Sequence, residues 1–282
     1  MEKSHASAKN IKLAFGINLL FSLLEFIGGF LINSVAIMSD AVHDLGDSLS
    51  LGLSWFLQKF SNKKGDQQFS FGYKRFSLLG ALINSLVLIG GSVFIISKAV
   101  PLLFNPVHSN AQGMFWFAIV GVLLNGFAAF RLHKGNSINE GVISWHMIED
   151  VLGWAAVLMV SIVLLFKDIH ILDPILSLAI ALFILINVVR NLIKTMKILL
   201  EGVPNGVNIK EIQSKIERIQ GVVSVSSLHI WSIDGEETAL NAHLCVTGNR
   251  LSDCEVIKKS VRDVTSDLNI THSTIELEWK NQ

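Results

Sequence analysis

The sequence predicts a membrane all-α domain of six transmembrane helices, followed by a small C-terminal cytoplasmic α+β domain. Its composition is 51% hydrophobic and 16% charged, with a mean hydropathy of +0.51, whereas soluble domains carry about 25% charged residues. Long apolar stretches recur up to about residue 200, after which the segments become shorter and more polar. We therefore expect a transmembrane domain over residues 1–201 and a cytoplasmic domain over residues 202–282.

Six apolar stretches are the candidate spans. Each is near or above the ~20 residues that a helix rising ~1.5 Å per residue needs to cross a ~30 Å hydrocarbon core. Charged residues interrupt the second and fifth stretches, so hydropathy alone supports these two more weakly. The polar N-terminus indicates a retained first span rather than a signal peptide. The predicted spans are Ile11–Leu31, Ser34–Leu57, Leu78–Leu103, Met114–Leu132, Val142–Phe166 and Ile171–Ile186, the last with an end between Ile186 and about Leu200.

The distribution of lysine and arginine predicts the orientation. Thirteen basic residues flank one side of the predicted membrane and two flank the other. Because basic residues accumulate on the cytoplasmic side, we expect both termini in the cytoplasm and, for a bacterial protein, a location in the inner membrane. The larger set is Lys3, Lys9, Lys12, Lys59, Lys63, Lys64, Lys74, Arg75, Arg131, Lys134, Arg190, Lys194 and Lys197, and the smaller set is Lys98 and Lys167.

The C-terminal segment has the pattern helix, strand, strand, helix, strand. Isoleucines at helical spacing from Ile209 to Ile219 precede Gly221, and two β-rich runs then flank "DGEE" as a predicted hairpin. This order suits a ferredoxin-like domain with helices on one face of a sheet. The formal net charge is zero, which argues against a nucleic-acid-binding protein. Cys245 and Cys254 lack the spacing of a zinc–cysteine site.

Ionisable residues occur inside the predicted spans. "SDAVHDLGDSLS" places Asp40, His43, Asp44 and Asp47 at offsets of 3, 4 and 7 on one face of a helix. Each ionisable group at a membrane centre costs on the order of 2.5–3.5 kcal/mol, so a purely structural role for all of them is unfavourable. Glu25 in the first span is also expected to face a cavity.

The pattern HxxxD occurs twice, once in the second span and once in the fifth. His43 and Asp47 form the first pair, and His146 and Asp150 form the second. Two imidazoles and two carboxylates are a tetrahedral ligand set that suits Zn²⁺, whereas Mg²⁺ and Ca²⁺ prefer oxygen ligands alone. The sequence therefore predicts an intramembrane metal site at these four residues, with Asp40, Asp44 and Glu25 in supporting positions.

Motifs along nearly the whole chain resemble the cation diffusion facilitator family of zinc transporters. They are "SVAIMSDAVHDLGDSLSLGLS", "FGYKRFSLLGALIN", the HxxxD of the fifth span, "DPILSLAIALFIL", "LHIWSIDGEETALNAHLCV" and "HSTIELE". The resemblance implies a homodimer that exports Zn²⁺, with Cd²⁺ tolerated, in exchange for protons by alternating access. It also implies that His43, Asp47, His146 and Asp150 form the transport site. The resemblance further implies that Zn²⁺ is the transported substrate, and we expect no organic cofactor and no enzymatic activity.

The resemblance raises two further expectations and leaves one site open. Arg75 and Glu201 match an inter-helix ion pair at the cytoplasmic hinge. A second metal site between spans two and three is expected to be absent, because Phe69 and Tyr73 stand at the positions of its imidazoles. A cytoplasmic metal site has matching histidines but Thr274 at an aspartate position, so its residues are either ligands or ordinary polar positions on the sheet. The residues concerned are His229, His243, His272 and Glu276.

Two other functions remain open at this point. A passive divalent-cation channel also uses intramembrane carboxylates, although channels need weak and multiple sites. A membrane-bound zinc sensor would use the C-terminal domain as its sensing module and would not need the intramembrane residues for export. Lipid and protons are the other expected partners, and no nucleic acid is expected.

Overall fold

The computed structural model describes residues 2–61, 63–133, 138–247 and 251–279. Within these ranges only the backbone is described for some residues: 2–14, 17, 50, 51, 54, 55, 58, 59, 131–133, 138–146, 251 and 252. The chain folds as two compact units. The first contains the chain up to Trp55 and the segment Ile83–Asn191, and the second contains Phe56–Leu82 and the chain from Leu192 onward.

Among the described residues, six long helices precede the C-terminal segment. They extend beyond the predicted apolar stretches, because helical structure continues into the polar residues that flank each stretch. The sixth helix runs well beyond Ile186. The helices are α1 (Glu2–Leu31), α2 (Val35–Ser61), α3 (Phe76–Phe104), α4 (Ala111–His133), α5 (Ile138–Phe166) and α6 (Leu172–Leu199).

Four stretches among the described residues are long and apolar enough to cross a membrane. They have mean hydropathies of 1.9 to 2.4, and only 28 to 33% of each is buried within the chain. Most of their apolar side chains therefore face outward, as lipid contact requires. A shorter apolar helical stretch covers Asn18–Leu31, and α2 carries its three aspartates instead of a continuous apolar surface. The four stretches are Phe76–Phe104, Ala111–Phe130, Met147–Phe166 and Leu172–Leu199.

One apolar cluster of the first unit lies between α1, α2, α4 and α5. Trp154 is fully buried there, and its ring packs against Phe21 with centroids 5.5 Å apart. Gly121 of α4 allows this packing, because a Cβ at that position would lie 2.2 Å from the Trp154 ring. The α4–α5 contact therefore depends on a residue without a side chain, and α5 is the helix that carries Asp150.

The second unit contains a three-stranded sheet of order β1–β2–β3, formed by Val222–Ser232, Thr238–Val246 and Ile270–Trp279. β1 and β2 are antiparallel, and β2 and β3 are parallel. Helix α7 (Ile209–Glu217) precedes β1, and α8 (Leu251–Val264) joins β2 to β3. Both helices contribute to one apolar core under the sheet, formed by Ile212, Ile216, Ile230, Leu240, Ala242, Leu244, Val246, Ile257 and Val261.

Local hydrogen bonds explain where these elements begin and turn. The Asn208 side chain accepts from the backbone N–H groups of Lys210 and Glu211 and so caps the N-terminus of α7. In the β1–β2 hairpin, Asp234 Oδ1 accepts from the backbone N–H of Glu237 at 2.8 Å. Gly235 has a φ of +104° in this turn, a conformation that favours glycine.

Candidate metal centre

The predicted ligands lie on three helices of the first unit. Asp40, His43, Asp44 and Asp47 come from α2, Asp150 from α5 and Glu25 from α1. The four α2 residues share a face because their spacing matches one and two helical turns. Asp40, Asp44, Asp150 and Glu25 are buried, and His43 and Asp47 are partly exposed.

A first group of ligand atoms forms between α2 and α5. One ligand atom from each of His43, Asp44 and Asp150 lies within 4.8 Å of the other two. An ion at the centre of such a triangle lies within about 2.8 Å of all three atoms, so side-chain movements of under ~1 Å would reach the usual zinc distances of ~2.0–2.2 Å. The Asp47 Oδ2 atom lies 3.5 Å from His43 Nε2, which places Asp47 beside the same imidazole.

A second group joins α1 to α2. Carboxylate oxygens of Glu25, Asp40 and Asp44 all lie within 4.8 Å of one another, and all three side chains are buried. Asp44 belongs to both groups. Three negative charges this close in a buried environment repel strongly unless a cation or protons compensate them. This part of the first unit would therefore be stabilised by a bound cation or by protons.

The placement of two predicted ligands needs separate comment. The His146 side chain lies outside the described residues, although its position in α5 is one turn before Asp150. Asp44, which the sequence assigned to a supporting position, lies in the group with His43 and Asp150. Glu149, the residue before Asp150, is exposed.

Sequence reasoning missed Asp173, in the first turn of α6. Its Oδ2 accepts from the backbone N–H of Val35 at 2.9 Å, and its Oδ1 accepts from the Ser34 hydroxyl at 2.6 Å. The buried Asp173 carboxylate thereby caps the N-terminus of α2, where the helix dipole also favours negative charge. The detectable signal was an aspartate within an otherwise apolar predicted span.

The candidate cytoplasmic ligands lie on the sheet of the second unit, where His229, His272 and Glu276 are exposed. His243 pairs in register with Glu276, and its Nε2 lies 3.3 Å from Glu278 Oε2. The His272 ring packs edge-on against Phe71 at 5.3 Å. Within the described chain, none of these four predicted residues belongs to a group of three ligand atoms within 4.8 Å.

The segment between α2 and α3 forms a polar and aromatic cluster. The Tyr73 hydroxyl and the Lys63 ammonium both donate to Asp66 Oδ2 at 2.8 Å, and Phe69 packs against Tyr73 with ring centroids 4.7 Å apart. These hydrogen bonds hold the pKa of Asp66 well below its usual range, with the bond from Lys63 as the largest cause. Phe69 and Tyr73, where the sequence predicts no second metal site, are thus both part of this cluster.

Arg75 and Lys74, immediately before α3, each form an ion pair within the second unit. Arg75 Nη2 donates to Glu201 Oε1 at 3.1 Å, and the two side chains are 40% and 59% exposed. Lys74 donates to Glu237, which also accepts from the Thr271 hydroxyl at 3.0 Å. The bond from Lys74 is the largest cause of a lowered pKa at Glu237.

Comparisons with known proteins identify the family. Residues 11–200 match the model of the cation efflux transmembrane domain, and residues 204–279 match that of the cation efflux protein cytoplasmic domain. The chain is 33% identical to a cadmium, cobalt and zinc/H(+)-K(+) antiporter of Bacillus velezensis, over 98% of this chain and 90% of the relative. It is 31% identical to zinc transporter ZitB of Yersinia pseudotuberculosis, over 98% and 89%.

A third relative is the metal cation efflux system protein CzcD of Cupriavidus metallidurans. It is 29% identical over 96% of this chain and 86% of the relative. The family matches span both units, and the similarity to all three relatives extends over almost the full chain. The chain therefore belongs to the cation efflux family, the cation diffusion facilitators.

Proposed function

We propose that this protein exports divalent metal cations, Zn²⁺ foremost and Cd²⁺ as a tolerated substrate, in exchange for protons by alternating access. The observation that carries the proposal is the group formed by His43, Asp44 and Asp150 between two helices of the first unit. Relatives named as a zinc transporter and as a zinc/H(+)-K(+) antiporter support it.

The ligand chemistry favours transition metals over Mg²⁺ and Ca²⁺. Imidazole nitrogen suits Zn²⁺ and its neighbours in the first transition row, and carboxylate oxygen completes the shell. We propose His43, Asp47, His146 and Asp150 as the transport ligands. Asp44 lies close enough to His43 and Asp150 to contribute a further carboxylate in the conformation described here.

Proton exchange follows from the same ligands. Zn²⁺ requires a neutral imidazole and ionised carboxylates, so its binding expels protons held by these groups. Glu25 and Asp40 extend the acidic group toward α1 and provide further carboxylates on which protons can replace the metal charge. Release of metal on the outer side would then accompany proton uptake, and the reverse would occur on the cytoplasmic side.

The wider architecture belongs to the same proposal. We propose six spans, with α1 and α2 crossing the membrane beside the four strongly apolar stretches, and with both termini in the cytoplasm of a bacterial cell. The C-terminal domain is proposed to be ferredoxin-like and to hold two protomers together, in line with the match to the family's cytoplasmic domain. An ion pair between Arg75 and Glu201 is proposed to link the helices at the cytoplasmic hinge. The candidate ligands of a cytoplasmic metal site are His229, His243, His272 and Glu276.

Zinc uptake into everted membrane vesicles tests the proposal. We expect uptake that follows an imposed proton gradient and that Asp150→Ala abolishes. Glu149→Ala is the matched control, because Glu149 is the exposed neighbour on the same helix, and it should transport normally. Uptake by Asp150→Ala at the wild-type rate would refute the transport site. Uptake that ignores the proton gradient would refute the exchange mechanism.

A further inference from the structure

We propose a second divalent transition-metal site in the first unit, formed by His108, Asp168 and His170 in two loops. His108 lies between α3 and α4, and Asp168 and His170 lie between α5 and α6. The site would bind Zn²⁺ or a chemically similar ion at the surface, outside the helices that contain the transport site.

One ligand atom from each of the three side chains lies close to the other two. His108 Nδ1 lies 2.7 Å from His170 Nε2 and 3.7 Å from Asp168 Oδ1, and that same Oδ1 also contacts His170 Nε2. The three ligand atoms all lie within 4.8 Å of one another. Two imidazole nitrogens and a carboxylate oxygen from separate loops therefore converge, as the ligands of a metal do.

Backbone hydrogen bonds hold these loops in place. The Asn110 N–H donates to the Ile32 carbonyl at 2.9 Å, and the Asn33 side chain donates to the His108 carbonyl at 3.4 Å. The segment between Phe166 and Leu172 is short and contains its own turn, in which the Ile169 N–H donates to the Lys167 carbonyl. These bonds hold the backbone of both loops, so the fold of the unit brings the three residues close together.

The ligand set selects the class of ion. Two nitrogens with one carboxylate suit Zn²⁺ and similar ions, and three protein ligands leave a position for water. Tetrahedral Zn²⁺ with nitrogens at ~2.0–2.1 Å separates them by ~3.3 Å, so the two rings would move apart by ~0.6 Å on binding. The His108 and Asp168 side chains are 79% and 76% exposed and have room for this movement.

The surroundings indicate exchangeable rather than permanent binding. Nδ1 of His170 is buried and has no hydrogen-bond partner within the described residues. Metal-binding histidines usually have such a partner on their second nitrogen, and its loss weakens affinity. We therefore expect a site that fills and empties as the external metal concentration changes.

The site is separate from the transport site. Asp150 lies 16 residues before the end of α5, which corresponds to roughly 24 Å along the helix axis. If both termini are cytoplasmic, as proposed above, these loops face the outer side of the membrane. Only this assignment of side rests on the proposed function. The site would then be exposed to the metal that the protein exports.

Metal binding by the full-length protein in detergent tests this inference without any transport measurement. The background is Asp47→Ala/Asp150→Ala, which weakens the transport site. Adding His108→Gln and His170→Gln should remove one equivalent of Co²⁺ per chain in equilibrium dialysis, together with its visible absorption. Lys167→Gln, an exposed neighbour without a ligand atom in the group, is the control and should keep that equivalent.

The same titration defines failure. An unchanged Co²⁺ equivalent, or weakening of less than tenfold in the variant with both histidines replaced, would show that the cluster is only hydrogen-bonded. Circular dichroism of each variant reports whether the helical content is retained. Asp168→Asn provides a second test, since it keeps the size of the side chain and should also weaken binding by at least tenfold. Because the readout is binding, failure of the transport proposal would leave this result interpretable.

Discussion

Carboxylates in the two units of this protein have opposite surroundings. In the first unit, Glu25 and Asp44 are fully buried and belong to one acidic group, and their carboxylate oxygens accept no hydrogen bond within the described part of the chain. In the second unit, Asp66 and Glu237 each accept a hydrogen bond from a lysine. The lysine-paired carboxylates stabilise the folded chain, whereas the buried acidic group destabilises it until a cation or protons neutralise the charge. This difference indicates which carboxylates serve function and which serve stability.

Neutralising one carboxylate in each unit provides the largest expected contrast. Asp44→Asn should weaken Zn²⁺ affinity by about 10- to 100-fold, as loss of a residue beside a metal ligand commonly does. It should also raise the thermal midpoint of the metal-free protein, because one repulsive buried charge disappears. Calorimetric titration and thermal unfolding of the purified protein measure the two effects.

The matched variant is Asp66→Asn, which removes a hydrogen-bonded carboxylate from the second unit. It should lower stability and leave Zn²⁺ affinity unchanged. If both variants changed stability in the same direction, the proposed division between functional and stabilising carboxylates would be wrong.

Asp173 sharpens the comparison, because it is a buried carboxylate of the first unit that does have hydrogen-bond donors. Asp173→Ala removes the cap of α2 and should destabilise the protein by about 1–2 kcal/mol, at the upper end of N-cap effects. Because α2 carries His43 and Asp47, transport should fall as well. Chemical unfolding and vesicle uptake measure these effects.

Asp173→Asn is the control for the loss of charge, since its side-chain oxygen can still accept from the backbone. It should retain most of the stability that Asp173→Ala loses. Equal losses in the two variants would mean that charge, rather than the cap hydrogen bonds, is what α2 requires.

The smallest expected effect is a dependence on pH in the second unit. The pKa of Glu237 is lowered from its ordinary value of 4.5 and that of Asp66 from 3.8. A carboxylate whose pKa is lowered in the folded state stabilises the fold at pH values above its ordinary pKa. That stabilisation is lost as the pH falls through the folded-state pKa. Hydrogen exchange around residues 63–75 and 234–237 should therefore accelerate below about pH 4.5, after correction for the intrinsic rate.

Lys74→Met provides the comparison, because it removes the main cause of the lowered Glu237 pKa. The acceleration around residues 234–237 should become weaker in this variant, while that around Asp66 should persist. If the pH dependence of hydrogen exchange around residues 234–237 were unchanged in this variant, the Lys74 contact would not be the cause of the pH response.

The sequence by itself determined the features that depend on neighbours along the chain. The family resemblance, now confirmed, rested on local motifs, and the shared face of Asp40, His43, Asp44 and Asp47 followed from helical spacing alone. The change in composition near residue 201 likewise indicated a separate C-terminal domain. Such features are predictable because backbone periodicity determines which residues of one element lie together.

Only the tertiary structure decided which residues of different elements meet. Spacing on α2 could not show that Asp44 joins His43 and Asp150 in one group, that Asp173 caps α2, or that His108 approaches His170. These contacts depend on how helices and loops pack, including the close approach of Trp154 to Gly121. Distances between elements follow from the combined shapes of many side chains, and one-dimensional spacing does not contain that information.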